Sequence, residues 1–471
     1  MWYNISIEVI GVFMFYLVFY ISKFIKFMLK LFGKNATFLP GDIAIKLYPK
    51  FLGKVAKPKV IIGVTGTNGK TTVVNLLYDF FESKNKKVLC NKYGSNVNSG
   101  IASLFISGTN LFNKTDYEVA ILELDERSSP KILPYVKLDY LICTNLFRDS
   151  IKRNAHSEFI FDMINNNLSK DTKLILNADD LISSNLGTTN KKTYFSIGRL
   201  ETDLDECENI INDVVICPKC NHKLKYEYVK YHHIGKAHCP NCDFKSPDPD
   251  YLVTKVDYDK EQITVKNKNK STNYKMVSNS VFNVYNMVCV IAFLKTWGFD
   301  DKDIIDFYEK EKIVETRYKE ANINGIKVIS HMAKGQNPIA CSCVFDYVRK
   351  QKGKKELILL LYDKEDAETS SENLAWIYDC DFEFLNDESI EKILVCGHRA
   401  ADINFRLLLA GIPQEKIIYE KEEKKIPDHL SLKKENTIYI LYDMYEQPVL
   451  DNLNKFIEEK IVAKGDSENE N

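Results

Sequence analysis

Net charge is what this 471-residue chain most lacks: 64 Lys and Arg stand against 65 Asp and Glu, leaving −1 at pH 7. With no basic field, the electrostatic footprint of a nucleic-acid partner is missing, and no nucleic acid is expected. No internal repeat and no low-complexity linker interrupts the chain, whose length suggests two or three domains. A disulfide framework is missing too. Of twelve cysteines, eight (Cys90, Cys143, Cys207, Cys289, Cys341, Cys343, Cys380, Cys396) are scattered, several in apolar runs, as small buried hydrophobes of a reducing compartment are. At 45% apolar and 27% charged residues, the composition is that of a folded globular protein.

Charge is also absent from Val9 to Ser22, inside the long apolar run Ile5 to Phe32. No basic residues precede that run and no small-residue cleavage site follows it, which excludes a signal peptide. Lys23, Lys26 and Lys30 come after it and place the bulk of the chain in the cytoplasm. A membrane-attached helix over 1–38, spanning or interfacial, is expected at the inner face of the cell membrane. A buried core helix is the alternative.

What is present is an α/β alternation. Val60–Val64 reads as a strand, a glycine-rich turn follows, and Thr72–Glu82 has helical periodicity. Further strands are expected at Val119–Leu124, Tyr140–Thr144 and Leu174–Leu176, in a parallel sheet covered on both faces. The pattern breaks at about 205–250, a polar insertion rich in Cys, His, Lys and Tyr. Helical patterning returns over Val281–Trp297. A smaller α/β region begins near Gly325–Ile329, with strands at Glu356–Leu361, Lys392–Cys396 and Thr437–Tyr442. The domains are thus read as 1–38, 39–320 with its insertion, and 321–460. A disordered tail is expected over 461–471, where the polar run Gly465–Asn471 lacks an apolar anchor.

The strongest chemistry lies in Gly63-Val64-Thr65-Gly66-Thr67-Asn68-Gly69-Lys70-Thr71-Thr72. Backbone N–H groups exposed by Gly66 and Gly69 at a helix start form an anion cradle. Lys70 is placed to reach the β- and γ-phosphates of ATP, and the Thr71 hydroxyl to ligate Mg²⁺. The generic motif has glycine where Val64 stands, so this is a variant. Cys217-Pro218-Lys219-Cys220 and Cys239-Pro240-Asn241-Cys242 form a second constellation. Two CxxC pairs eighteen residues apart can close a tetrahedral thiolate site, read as a structural Zn²⁺ ribbon. His222, His232, His233 and His238 are not needed as ligands.

The variant loop Thr65-Gly66-Thr67-Asn68-Gly69-Lys70-Thr71-Thr72 resembles the ATP loop of the Mur ligase superfamily. So, in order, do Leu122-Glu123-Leu124-Asp125-Glu126, Thr144-Asn145-Leu146-Phe147-Arg148-Asp149, Asn177-Ala178-Asp179-Asp180, Asn283-Val284-Tyr285-Asn286 and Thr316-Arg317. The resemblance implies that Glu123 is a magnesium ligand and that Asn286 and Arg317 join the nucleotide site. The four-cysteine insertion narrows it. With Leu39–Ala44, Trp376-Ile377-Tyr378-Asp379-Cys380-Asp381 and Gly397-His398-Arg399-Ala400-Ala401-Asp402, it resembles the MurT family, over roughly 39–455.

That family is the ligase subunit of lipid II isoglutaminyl synthase, which amidates a carboxylate. The resemblance implies that ATP phosphorylates the α-carboxylate of D-glutamate in the lipid II stem peptide, and that ammonia then attacks. The ammonia would come from a GatD-type glutaminase partner, since this chain has no clear glutaminase signature. The resemblance also implies that Asp379 completes the partner's catalytic site as an imidazole-orienting carboxylate, with Asp381 the competing match. Ser150 and Lys152 depart from the family pattern. Two alternatives stay open: a stand-alone muramyl-peptide or folylpolyglutamate type of amino-acid ligase, and a degenerate ATP-binding scaffold.

Overall fold

The computed structural model describes residues 2–92, 94–148, 156–278, 280–311, 318–333, 337–361, 374–443 and 447–469. The chain forms two compact units, the first built on Met1–Arg148, His156–Glu206 and Val214–Ile313, the second on Cys207–Asp213 and Val314–Asn471.

Unit one opens with helices α1 (Trp2–Leu31), α2 (Leu39–Leu47) and α3 (Phe51–Lys54). Its nine-stranded sheet comprises β1 (Val60–Thr65), β2 (Val88–Cys90), β3 (Val119–Glu123), β4 (Tyr140–Cys143), β5 (Lys173–Asn177) and β6 (Lys192–Ile197). A separate hairpin of β7 (Lys225–Tyr231) and β8 (Ile234–His238) intervenes before β9 (Tyr251–Asp257), β10 (Gln262–Asn267) and β11 (Lys270–Lys275) complete it. The order is β11-β10-β9-β6-β5-β4-β1-β3-β2, parallel from β2 to β9, with β10 and β11 antiparallel at the edge. The expected parallel sheet is present and carries an antiparallel edge beyond β9. Central strands β1, β3, β4 and β5 are apolar and almost wholly buried, the pattern of strands covered on both faces. Helix α4 (Lys70–Ser83) follows β1, and α5 (Asn98–Ser107) packs against α2.

The inserted segment lies between β6 and β9, which pair directly, so the sheet continues as if residues 198–250 were absent. Part of it, Cys207–Asp213, belongs to the second unit. The carboxylate of Asp381 accepts hydrogen bonds from Asn209 Nδ2 at 2.8 Å and the Ile210 N–H at 2.6 Å.

The second unit has a six-stranded sheet of β12 (Tyr318–Ile323), β13 (Ile326–Met332), β14 (Lys354–Leu360), β15 (Ile390–Val395), β16 (Ile417–Tyr419) and β17 (Asn436–Tyr442), ordered β12-β13-β17-β14-β15-β16. Only β12 runs antiparallel.

Two expectations are corrected here. Of the tail expected from 461, the described residues are helical: the last helix runs Gln447–Asn469, and Leu450, Leu453, Ile457 and Ile461 bury its inner stripe. That i, i+3, i+7, i+11 stripe supplies the apolar anchor that 465–471 lacks on its own. Helix α1 is not a separate segment. Phe15, Val18 and Phe19 join the core of unit one with Phe51, Leu52 and Phe105.

Candidate functional site

Strand β1 delivers the chain into a tight turn, and α4 starts at Lys70 with Gly69 as its N-cap. Gly66 (φ +128°) and Gly69 (φ +91°) occupy backbone conformations that favour glycine. Space excludes a side chain as well. A Cβ at Gly66 would lie 2.2 Å from Thr144 Oγ1, and one at Gly69 would lie 2.3 Å from Asn286 Oδ1.

The segment after β4 clamps this loop. Asn145 accepts from the Thr67 N–H through its carbonyl (2.9 Å) and from the Asn68 N–H through its side chain (3.0 Å). Thr144 Oγ1 donates to the Asn68 carbonyl at 2.6 Å, and the Phe147 N–H to Thr67 Oγ1 at 2.9 Å. The resemblance-derived segments thus meet in space: 144–147 against the loop, Asn286 over Gly69, and Asn177 Nδ2 on the Thr144 carbonyl.

Glu123 ends β3, its backbone held by Asn91 on both sides and its carboxylate accepting from Asn96 Nδ2 at 3.3 Å. Thr71 and Thr72 begin α4, with Thr71 exposed. Arg317, and the departures Ser150 and Lys152, lie outside the described residues.

One residue of this site escaped sequence reasoning. Glu126 Oε1 accepts from the Gly66 N–H at 2.8 Å and Lys70 Nζ at 2.9 Å. Both side chains are about nine-tenths buried. Burial alone would lower the Lys70 pKa, but the charge and hydrogen bond of Glu126, with Glu123 and Asp125 behind it, outweigh that and raise it. A carboxylate oxygen therefore holds two groups that, in a phosphate cradle, serve phosphate oxygens. The sequence signal for this was present but ambiguous, since Glu123, Asp125 and Glu126 crowd one strand end.

A buried polar network backs the clamp. Asp179 accepts from Ser196 Oγ (2.8 Å), the Ile197 N–H (2.9 Å) and Tyr285 OH (2.7 Å). Burial raises its pKa despite those donors. Asp180 accepts from the Leu146 N–H at 2.7 Å and faces His233 Nε2 at 3.2 Å. The β7–β8 turn reaches in here: the His233 ring stands 4.5 Å from that of Phe147, and His232 at 5.8 Å. Both histidines are buried in this packing and neither belongs to the cysteine cluster.

That cluster brings Cys217, Cys220, Cys239 and Cys242 together, all four Sγ atoms within 4.8 Å of one another. Cys217–Cys242 is 3.5 Å and Cys220–Cys239 is 3.4 Å, far too long for disulfides. Four thiolates about 2.3 Å from one zinc stand roughly 3.8 Å apart, so the donor set fits Zn²⁺. The His222 N–H and the neighbouring thiols lower the pKa of Cys220. Two small bridges, Ile216 with Lys223 and His238 with Lys245, shape the knuckles.

In the second unit, Asp379 ends the helix Ala375–Asp379 and is half-buried beside exposed Tyr378. Arg406 ties this helix down from beneath through the carbonyls of Ile377 and Cys380. Asp381 is buried, its carboxylate committed to Asn209 and Ile210 and its N–H to Ser342 Oγ.

Comparison with known proteins places this geometry. Residues 64–242 match the Mur ligase middle domain and 335–445 the MurT ligase C-terminal model. A Staphylococcus aureus protein named lipid II isoglutaminyl synthase (glutamine-hydrolysing) subunit MurT is 30% identical over 436 residues, covering 90% of this chain and 94% of its own. The chain belongs to the MurT family. A Streptococcus pneumoniae MurT of the same description is 29% identical, covering 83% of this chain and 86% of its own. The fold extends further than the MurT family. A pseudomurein peptide ligase type C from Methanothermus fervidus superposes with a TM-score of 0.64 at 20% identity, over 85% of this chain and 79% of that one. MurF from Thermotoga maritima, in complex with ADP, gives 0.59 at 14%, over 90% and 85%.

Proposed function

We propose that this chain is the ATP-dependent ligase subunit of a glutamine-dependent amidotransferase acting on lipid II. The observation that carries this is the clamped phosphate loop, with Lys70 between Glu126 and the helix start, in a chain of the MurT family. The backbone N–H groups of 66–70 and the Lys70 ammonium would hold the nucleotide phosphates, Lys70 and Gly66 exchanging Glu126 for phosphate oxygens. Glu123 and the Thr71 hydroxyl would hold Mg²⁺, which supplies charge neutralisation at the transferring phosphoryl group. Asn286, over Gly69, would contact the nucleotide.

In the reaction, an α-carboxylate oxygen of D-glutamate attacks the γ-phosphorus and ADP leaves. Ammonia then attacks the acyl carbon, phosphate departs with the C–O electron pair, and the nitrogen loses a proton. Phosphorylation is what makes the carboxylate an acyl donor. The ammonia is supplied by a GatD-type glutaminase in a heterodimer. Asp379, half-exposed at the end of its helix where Asp381 is buried, is the better candidate to orient that partner's catalytic imidazole. The four cysteines would hold a structural Zn²⁺ that keeps the β7–β8 turn against Phe147.

The protein works in the cytoplasm, attached by α1 to the inner face of the membrane that carries lipid II. Incubating the chain and its glutaminase partner with lipid II, ATP and glutamine should give amidated lipid II by mass spectrometry. Transfer of an amino acid in place of ammonia would point instead to a stand-alone ligase.

A further inference from the structure

Helix α1 has its polarity reversed. Phe15, Val18, Phe19 and Ser22 are buried against unit one, at the i, i+3, i+4, i+7 spacing of a docked face. On the opposite face Phe13, Leu17, Phe24, Phe27 and Leu31 are each 45–65% exposed, and the other positions on that arc, Tyr20 and Ile21 among them, are apolar or aromatic as well. A helix on a soluble protein turns its charges outward. Here Lys23 and Lys26 are partly buried against the protein, and Lys23 Nζ donates to the carbonyls of Ile106 and Thr109.

The exposed face is not confined to the helix. Tyr20 OH donates to the Leu111 carbonyl at 3.1 Å, which brings in a loop whose Leu111 and Phe112 are 61% and 77% exposed. Two segments far apart in sequence thus extend one apolar surface.

Residues Gly11–Leu31 form a helix long enough to cross a bilayer. Crossing would strip Phe15, Val18 and Phe19 from the core and break the Lys23 anchor. Resting on the membrane attachment proposed above, we propose that α1 is an in-plane anchor: its outer face and the Leu111-Phe112 loop sink into one leaflet, and the helix does not span. The occupant is a bilayer with anionic headgroups. Exposed Lys30 in the last turn of the helix, Lys34 just beyond it and Lys50 on the adjoining segment supply the complementary charge at headgroup level, where lysine stems lie along apolar surface with the ammonium in the polar layer.

The test uses the full chain with its glutaminase partner and vesicles of phosphatidylglycerol and phosphatidylcholine. The wild type should float with anionic vesicles and be stripped by alkaline carbonate. Leu111→Asp/Phe112→Asp, which leaves α1 intact, and Phe24→Asp/Phe27→Asp should each lower partitioning at least tenfold. Thermal melting of both variants should match the wild type, and so should amidation of a detergent-solubilised acceptor. Carbonate-resistant binding that ignores the loop variant would overturn the in-plane arrangement while leaving attachment standing. No flotation of the wild type in any composition would remove attachment as well. Self-association that the variants abolish, without flotation, would assign the face to a second copy and overturn the proposal.

Discussion

Replacing Glu126 by Gln isolates the contact that sequence reasoning missed. The substitution keeps the side chain's shape and one acceptor but removes the charge beside the Lys70 ammonium. Without nucleotide, Lys70 is left buried without its counter-charge, and the Gly66 N–H keeps only a neutral acceptor. Hydrogen bonds to charged groups are worth about 1.5–3 kcal/mol, and breaking a buried pair by removing one partner costs about 3–5 kcal/mol. With both side chains slightly accessible, a loss of about 2 kcal/mol is expected, or roughly 4–8 °C in melting temperature. The raised Lys70 pKa means its contribution is complete below the unfolded lysine's value and fades only as pH rises through the folded one. On the lysine side the loss should therefore be the same at pH 6 and pH 9. Saturating ATP and magnesium supply phosphate oxygens to Lys70, so the deficit should shrink and nucleotide binding should tighten, by roughly tenfold for each 1.4 kcal/mol recovered. Calorimetric melting with and without nucleotide, plus titration of ATP, measures both. An equal deficit in the two states would show that Glu126 is only structural and refute the exchange.

Gly69→Ala should weaken nucleotide binding and destabilise unit one by more than about 1 kcal/mol, because φ is +91° and the new Cβ meets Asn286; unchanged ATP affinity would remove Asn286 from the site. Metal analysis should find about one zinc per chain, and Cys239→Ser should lose it together with stability of the ribbon; full stability without metal would contradict a structural role. Asp379→Asn should depress glutamine-driven amidation, by a factor on the order of 10⁴ if it acts as the triad carboxylate of serine proteases does. Free ammonia should restore turnover, and survival of glutamine-driven activity would make Asp379 structural.

The sequence made legible what local chemistry dictates. Val60–Val64, Val119–Leu124, Tyr140–Thr144 and Leu174–Leu176 became β1, β3, β4 and β5 because buried parallel strands are unbroken apolar runs. The glycine loop and the paired cysteines declare themselves through spacing alone. Strands β6 and β9–β11 were hidden because they alternate with polar residues and flank the insertion. Glu126 could not be told from Glu123 and Asp125, since its role depends on the short turn Glu126–Ser128 that aims it back at the loop. His232 and His233, near the cysteines in sequence, were not needed as ligands, and the hairpin carries them to Phe147. The course of Cys207–Asp213 into the second unit rests on Asp381, 171 residues beyond Ile210, a pairing no local pattern announces.

The most direct test of the central claim is ATP-dependent product formation by Lys70→Ala in complex with the glutaminase partner. Lys70 is bound to the phosphate loop and to Glu126; its removal leaves Glu126 without its counter-charge and should cost unit one about 2 kcal/mol, while the fold, zinc and glutaminase pairing persist. Mass spectrometry of lipid II supplied with ATP and ammonia should show amidation by the wild type and none by the variant. Amidation by Lys70→Ala at the wild-type rate would contradict the account.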